Sequence, residues 1–270
     1  MSNYVLELKL DLKLICHRFL NLFSSCICRR CNQKFIDNTQ DIICENCLRN
    51  SLLTERTGLK ISDNGIKIYF SSLYQESLIE EVLLENALDI EEQLKFNREQ
   101  MLDFKYKKPE LCFLFSKYLE SFYRNVLKTH DEYEIPQEYS LIICCVPCFP
   151  DRKYNQALLL AKYFYQLLKT ATPLRFKKNI KFIPELFYRI KNTKKLHDKS
   201  ASERKRELKD AFRIDENAEI GVCGQCKKIL IIDDIVTTGT TINELGKILI
   251  NKGVQAENII GFTALGRNYH

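Results

Sequence analysis

The sequence predicts an α/β protein: a parallel sheet flanked by helices, preceded by a small N-terminal four-cysteine zinc module. Three observations carry this. Apolar runs at 140–146 (SLIICCV), 229–232 (ILII) and 259–265 alternate with helix-patterned stretches, and strands apolar on both faces belong in a parallel sheet covered on both sides. Two Cys-x-x-Cys pairs sit close together near the start. A chain of 270 residues, 45% of them hydrophobic, suits one sizeable domain plus a smaller module. The expected division is 1–60 for an N-terminal helix and zinc module and 61–270 for the larger domain.

Residues 1–25 read as an amphipathic or fully packed helix. Glu7, Lys9, Asp11 and Lys13 interrupt its leucines, so it lacks the unbroken apolar stretch of a secretory signal. No run approaches the ~20 apolar residues of a membrane span, and the expected location is cytoplasmic. The twelve cysteines then point to metal binding or burial, because disulfide frameworks are rare in a reducing compartment. Cys28 and Cys31 form one knuckle, Cys44 and Cys47 the second. Each Cys-x-x-Cys turn aims two thiolates at one centre, and two such turns supply a tetrahedral Zn2+ site. With few large apolar residues nearby, the metal would supply the folding energy. The alternative is four buried or redox cysteines. Cys26 could replace Cys28, though its spacing to Cys31 makes a poorer knuckle. Cys223 and Cys226 read as a turn before a strand, and Cys144, Cys145 and Cys148 as buried filler.

Further along, 66–71 (IKIYFS) reads as a strand and 75–102 as an acidic helix with a solvated face. Residues 109–128 read as a helix with Pro109 in its first turn. Residues 155–169 form a strongly apolar helix. Arg189 to Lys209 holds nine Lys/Arg against three Asp/Glu in a chain of formal charge +6. It reads as a basic mobile loop, or in part as a solvated helix from about Ala201. Thr241 to Asn251 is a helix, opened by a Thr241/Glu244 capping box and closed by Gly253.

The densest chemistry lies at 233–241, Asp-Asp-Ile-Val-Thr-Thr-Gly-Thr-Thr. In an open parallel sheet, ligands bind beyond the carboxyl ends of strands, where Asp233 and Asp234 are expected. A loop and helix N-terminus after them offer backbone N–H groups and a positive dipole end to a phosphate. Threonine hydroxyls add donors, and Gly239 permits close approach. The carboxylates repel phosphate but accept hydrogen bonds from vicinal hydroxyls. The stretch therefore asks for a phosphate with a diol nearby, and a ribose 5-phosphate fits. There is no Gly-x4-Gly-Lys-Ser/Thr and no Gly-x-Gly-x-x-Gly, which removes support for a nucleoside triphosphatase or a dinucleotide enzyme.

Residues 229–241 resemble the phosphoribosyl-pyrophosphate (PRPP) motif of the type I phosphoribosyltransferases. The resemblance implies that fold for 61–270. It implies that Asp233 and Asp234 form the catalytic pair holding the ribose 2- and 3-hydroxyls. Thr237, Thr238, Gly239, Thr240 and Thr241 would cradle the 5-phosphate, and Mg2+ would bridge hydroxyls and pyrophosphate, largely through water. A four-cysteine knuckle ahead of such a domain resembles the ComF family of competence-associated proteins, the ComFC and GntX-like group. Val146-Pro147 and Arg152-Lys153-Tyr154-Asn155-Gln156 match that family's pattern, as do Arg189, Thr193, Glu203-Arg204, Ala211-Phe212 and the closing Ala264 to Arg267. Lys153 stands where the family has Gly, Leu196 where it has Gln, Glu207 where it has Asn, and Asp210 where it has Gly. The resemblance covers about 26–50 and 140–267, while 72–135 matches little. By position, Cys148 to Lys153 corresponds to the pyrophosphate loop and 189–209 to the loop that closes over PRPP. Arg152, Lys153, Lys194 and Lys195 are charge-matched candidates for pyrophosphate.

Three functions follow as expectations. The first is a ComF-like competence protein that binds PRPP or a related ribose phosphate with Mg2+ and assists single-stranded DNA handling in natural transformation, beside other DNA-uptake proteins. The net charge and the Tyr and Phe content are compatible with strand binding. The second is an active phosphoribosyltransferase whose acceptor no motif names. The third is a PRPP-sensing regulator without turnover.

Overall fold

A computed structural model describes residues 25–28, 33–36, 58–76, 87–123, 140–148, 152–171, 180–191, 200–218, 220 and 227–268. The helix expected over 1–25 lies outside this set except for Ser25, which is strand. Cys31, Cys44, Cys47, Lys194, Lys195, Cys223 and Cys226 also lie outside it.

A short antiparallel hairpin, β1 (Ser25–Ile27) and β2 (Lys34–Ile36), comes first. β3 (Gly58–Ile61) then turns back through Gly65 into β4 (Lys67–Glu76). Two helices follow, α1 (Ala87–Tyr106) and α2 (Cys112–Phe122), with a 3-10 turn at Pro109–Leu111 between them. β5 (Ser140–Cys145), α3 (Gln156–Ala171) and β6 (Ile180–Phe182) continue the chain. A hairpin of β7 (Phe187–Arg189) and β8 (Phe212–Ile214) carries α4 (Ala201–Leu208) between its strands. β9 (Lys227–Val236), α5 (Thr240–Asn251) and β10 (Ile259–Asn268) complete the fold.

The main sheet runs β3-β4-β10-β9-β5-β6. Every pairing in it is parallel except β3 with β4. The molecule is thus α/β with a mostly parallel, mixed sheet flanked by helices. The inner strands are apolar without alternation because both faces are covered: Ile229 to Ile232 and Leu141 to Cys145 are all buried. Phe164 of α3 meets Phe262 of β10 with ring centroids 5.4 Å apart. Ile242 of α5 packs so closely on Gly261 that a Cβ there would lie 2.9 Å from it. No described helix is long and apolar enough to cross a membrane.

Several elements differ from the sequence expectation. β9 is ten residues long, so Asp233 and Asp234 lie within the strand rather than past its end. Their polarity does not end the ladder, because the ladder uses backbone groups: Thr263 pairs with Asp233 and Gly266 with Val236. α5 starts at Thr240, and its N-cap is Gly239 at φ 77°, with no side-chain cap. The capping box expected from Thr241 and Glu244 is therefore absent, and Glu244 accepts a 2.6 Å bond from Lys247 instead. Gly253 does close α5: its N–H bonds Ile250, and the Val254 N–H bonds Leu249, a Schellman arrangement. The acidic stretch from 75 begins in β4, and its helix starts at Ala87. The basic stretch from Arg189 opens as strand and contains helix α4, held by a true capping box between Ser200 and Glu203.

Candidate functional site

From β5 the chain passes through α3 to β6 on one side, while from β9 it passes through α5 to β10 on the other. The crossovers part between β5 and β9, so a crevice opens at the carboxyl ends of these neighbours. The β9 end supplies Asp233 to Thr241, and the β5 end supplies Cys148 and, across the following loop, Arg152.

The loop after β9 is shaped for an anion. Gly239 takes the left-handed conformation that a side chain resists. Because no side chain caps α5, its first-turn N–H groups remain available to a ligand. The Thr238 and Thr240 hydroxyls lie 2.8 Å apart. Cations reach this loop from two separate segments, and a third cation stands near one of them. Lys60 of β3 donates to the Thr237 carbonyl at 2.5 Å. Arg204 of α4 donates to the Thr237 hydroxyl at 2.6 Å. Arg267, at the end of β10, lies close enough to Lys60 that, after burial, it is the next cause depressing the lysine's pKa.

The acidic pair has a different set of cations. Lys105, in the last turn of α1, reaches the buried Asp234 with Nζ 3.1 Å from Oδ2. Asp233 accepts a 2.9 Å bond from the Asp234 N–H. Burial, and then the Asp234 charge, raise the Asp233 carboxyl well above the usual carboxylate range. Lys105 and Arg152 oppose that rise. Arg189, on β7, lies over the Phe212 ring at 4.8 Å. Burial lowers its pKa to about 10 against the pull of Asp233 and Cys148, so it stays charged at neutral pH. Burial raises the Cys148 thiol.

Of the residues expected for pyrophosphate, Arg152 stands at this cluster and donates to Gln156 at 2.7 Å. Lys153 is exposed. Lys60 and Lys105 escape a reading of the sequence, because both are brought in from segments remote from the motif. The Lys105 carbonyl accepts from Gln156 Nε2 at 2.8 Å, and the Tyr154 hydroxyl bonds the Phe104 carbonyl. The end of α1 is thereby fixed by the loop that follows β5. The one sequence signal was the basic run Lys105-Tyr106-Lys107-Lys108, which has no periodicity to mark its first member.

The residues imply two metals. Adjacent carboxylates are hard donors suited to magnesium. Asp234 is already engaged by Lys105 and Asp233 by a backbone N–H, so the pair fits a cation held through water. For zinc, Cys28 is fully buried and its N–H donates to the Gln33 carbonyl at 2.9 Å, and the other three sulfurs lie outside the described residues. Among the described residues no group of three or more His, Cys, Asp or Glu could hold a metal.

No family model matches the chain. It is 29% identical over 110 residues to Competence protein F of Haemophilus influenzae, covering 41% of this chain and 42% of that one. It is 39% identical over 75 residues to DNA utilization protein YhgH of Escherichia coli K12, covering 28% and 30%. It is 42% identical over 65 residues to YhgH of Salmonella typhi, covering 24% and 26%. The matches span less than half the length of these curated relatives. The names of these relatives concern competence and DNA utilization.

Proposed function

We propose that this chain is a ComF-type DNA-uptake protein that binds PRPP, or a closely related ribose 5-phosphate, with Mg2+ and assists the handling of single-stranded DNA in the cytoplasm. The observation that carries the ligand is a juxtaposition on one strand–loop–helix unit. The acidic pair Asp233-Asp234 lies just ahead of the side-chain-uncapped start of α5, with Gly239 left-handed between them. A diol belongs at the first and a phosphate at the second. Asp233 and Asp234 would hold the Mg2+ through water, and the ion would neutralise diphosphate charge. Cys28, Cys31, Cys44 and Cys47 would hold Zn2+ and stabilise the N-terminal module of residues 1–60. The DNA role rests on the names of the relatives and on the chain's positive charge.

A second reading, turnover as a type I phosphoribosyltransferase, is favoured by Lys105, Arg152 and Arg189 around Asp233. Such cations would stabilise a departing pyrophosphate. Binding without turnover would make the chain a PRPP sensor instead.

The test is a Mg2+-dependent PRPP titration of the wild type against Asp233→Ala/Asp234→Ala. At least a tenfold loss is expected, and equal affinities would overturn the site. Isotopic PRPP turnover with a panel of bases and amines separates enzyme from sensor. For DNA, oligonucleotide binding must weaken steeply with salt. Absence of binding at low salt, with unchanged transformation in a deletion strain, would remove that role.

A further inference from the structure

The cations of the crevice fall into two groups. Lys60 and Arg204 contact Thr237, beside Arg267. Lys105 contacts Asp234, and Arg152 and Arg189 act on Asp233. One group contacts the Thr237 loop and the other the acidic pair, so a ligand with two phosphoryl groups offers each group an anionic partner.

We infer that Lys105 is an anion-binding residue for the second phosphoryl group of the ligand. It neutralises Asp234 while the site is empty and transfers to a bound diphosphate when a diol and cation take the carboxylates. This deepens the PRPP reading and rests on it.

Position and anchoring support the assignment. Lys105 lies on α1, in the segment that the sequence motifs leave unexplained, yet its Nζ enters the crevice. Its backbone is held by the stretch after β5, by Gln156 through the Lys105 carbonyl and by Tyr154 through the Phe104 carbonyl. Gln156 also accepts from Arg152. One short stretch, Arg152 to Gln156, thus supplies a cation itself and sets the backbone of another. Lys105 is a flexible point charge with three donors, and its side chain is 18% exposed. The transfer exchanges one charged partner for another, so Lys105 is never left buried and unpaired, which is the arrangement that costs most.

The experiment compares PRPP with ribose 5-phosphate, in Mg2+, on the full-length wild type, Lys105→Met, Lys105→Gln and Lys105→Arg. Losing a charge-assisted bond to the diphosphate is expected to weaken PRPP by roughly ten- to a hundredfold in the Met and Gln variants. Ribose 5-phosphate should change by less than about threefold, and Arg should restore most PRPP affinity. In the wild type, PRPP should shield Lys105 from an amine-acetylating reagent, read by peptide mapping, while ribose 5-phosphate should not. That arm holds even if a variant fails to fold. Equal weakening of both ligands, no weakening of either, or equal acetylation with both would overturn the inference and leave the PRPP reading standing. Failure of the wild type to bind PRPP at all would overturn both.

Discussion

Gly239 offers the sharpest probe of how the loop after β9 is built. Its φ of 77° is the left-handed region, where a residue with a Cβ costs about 1–2 kcal/mol. A Cβ there would also lie 2.8 Å from Cδ1 of Ile68. Ile68 is fully buried, and its terminal methyl would give way by an off-rotamer adjustment of about 0.5–1.5 kcal/mol. Gly239→Ala should therefore cost about 1.5–3.5 kcal/mol, the sum of these strain and rotamer terms. Gly65 is the matched control: its φ is 76°, and a Cβ would meet nothing within 4 Å. Gly65→Ala should cost only the conformational part, about 1–2 kcal/mol. Differential scanning calorimetry reads the contrast, since 1 kcal/mol moves the midpoint by about 2–4 °C in chains of roughly this size. Isothermal titration with ribose 5-phosphate reads the second consequence. The loop shift should abolish measurable binding in Gly239→Ala and leave it intact in Gly65→Ala. Equal melting shifts together with equal affinities would refute the account of Gly239 as both strained and closely packed.

Other expectations can be checked in parallel. Asp210 is a left-handed non-glycine at φ 55°, so Asp210→Gly should stabilise the protein by about 0.5–1 kcal/mol in urea unfolding. Ser200→Ala removes the acceptor for the Glu203 N–H at a cost of about 1 kcal/mol. Faster amide exchange at 203–206 should result, with weaker ribose 5-phosphate binding because Arg204 loses its support, while Ser200→Asp should preserve both. Asp233 has a folded pKa above its unfolded value near 3.9. Its stabilising contribution is complete below about pH 4 and is lost as pH rises through the higher folded value. Without Mg2+, wild type should lose urea stability over that rise relative to Asp233→Asn, and parallel profiles would contradict the shift.

Much of the sheet was legible because burial on both faces leaves an unbroken apolar signature in β5, β9 and β10. The strand–turn–helix arrangement of Asp233 to Thr241 was legible because it is local, carried by one strand, one turn and one helix start. Where the reading went astray, a long-range term had overridden a local one. β9 continues through two aspartates because β10 extends the ladder beside it. The Thr241/Glu244 spacing suits a capping box, but the helix starts one residue earlier on a glycine, leaving Glu244 to Lys247. Lys60 and Lys105 are polar residues in unremarkable segments, and only tertiary packing makes them part of the crevice. Asp210 shows the reverse: the resemblance marked it as a departure from glycine, and the backbone gives the reason glycine suits that position.

β4 and β10 adjoin in the sheet, and Ser71 bonds the Ala264 carbonyl across 193 residues of chain. During synthesis, β4 and β9 each wait for the same late strand. A ribosome-bound chain lacking 259–268 exposes two apolar strand edges, the kind of surface that invites aggregation and chaperone capture. Arg267 and the support of the Thr237 loop arrive with that strand. Loss of 259–268 would therefore bare both edges at once and remove Arg267 from beside Lys60.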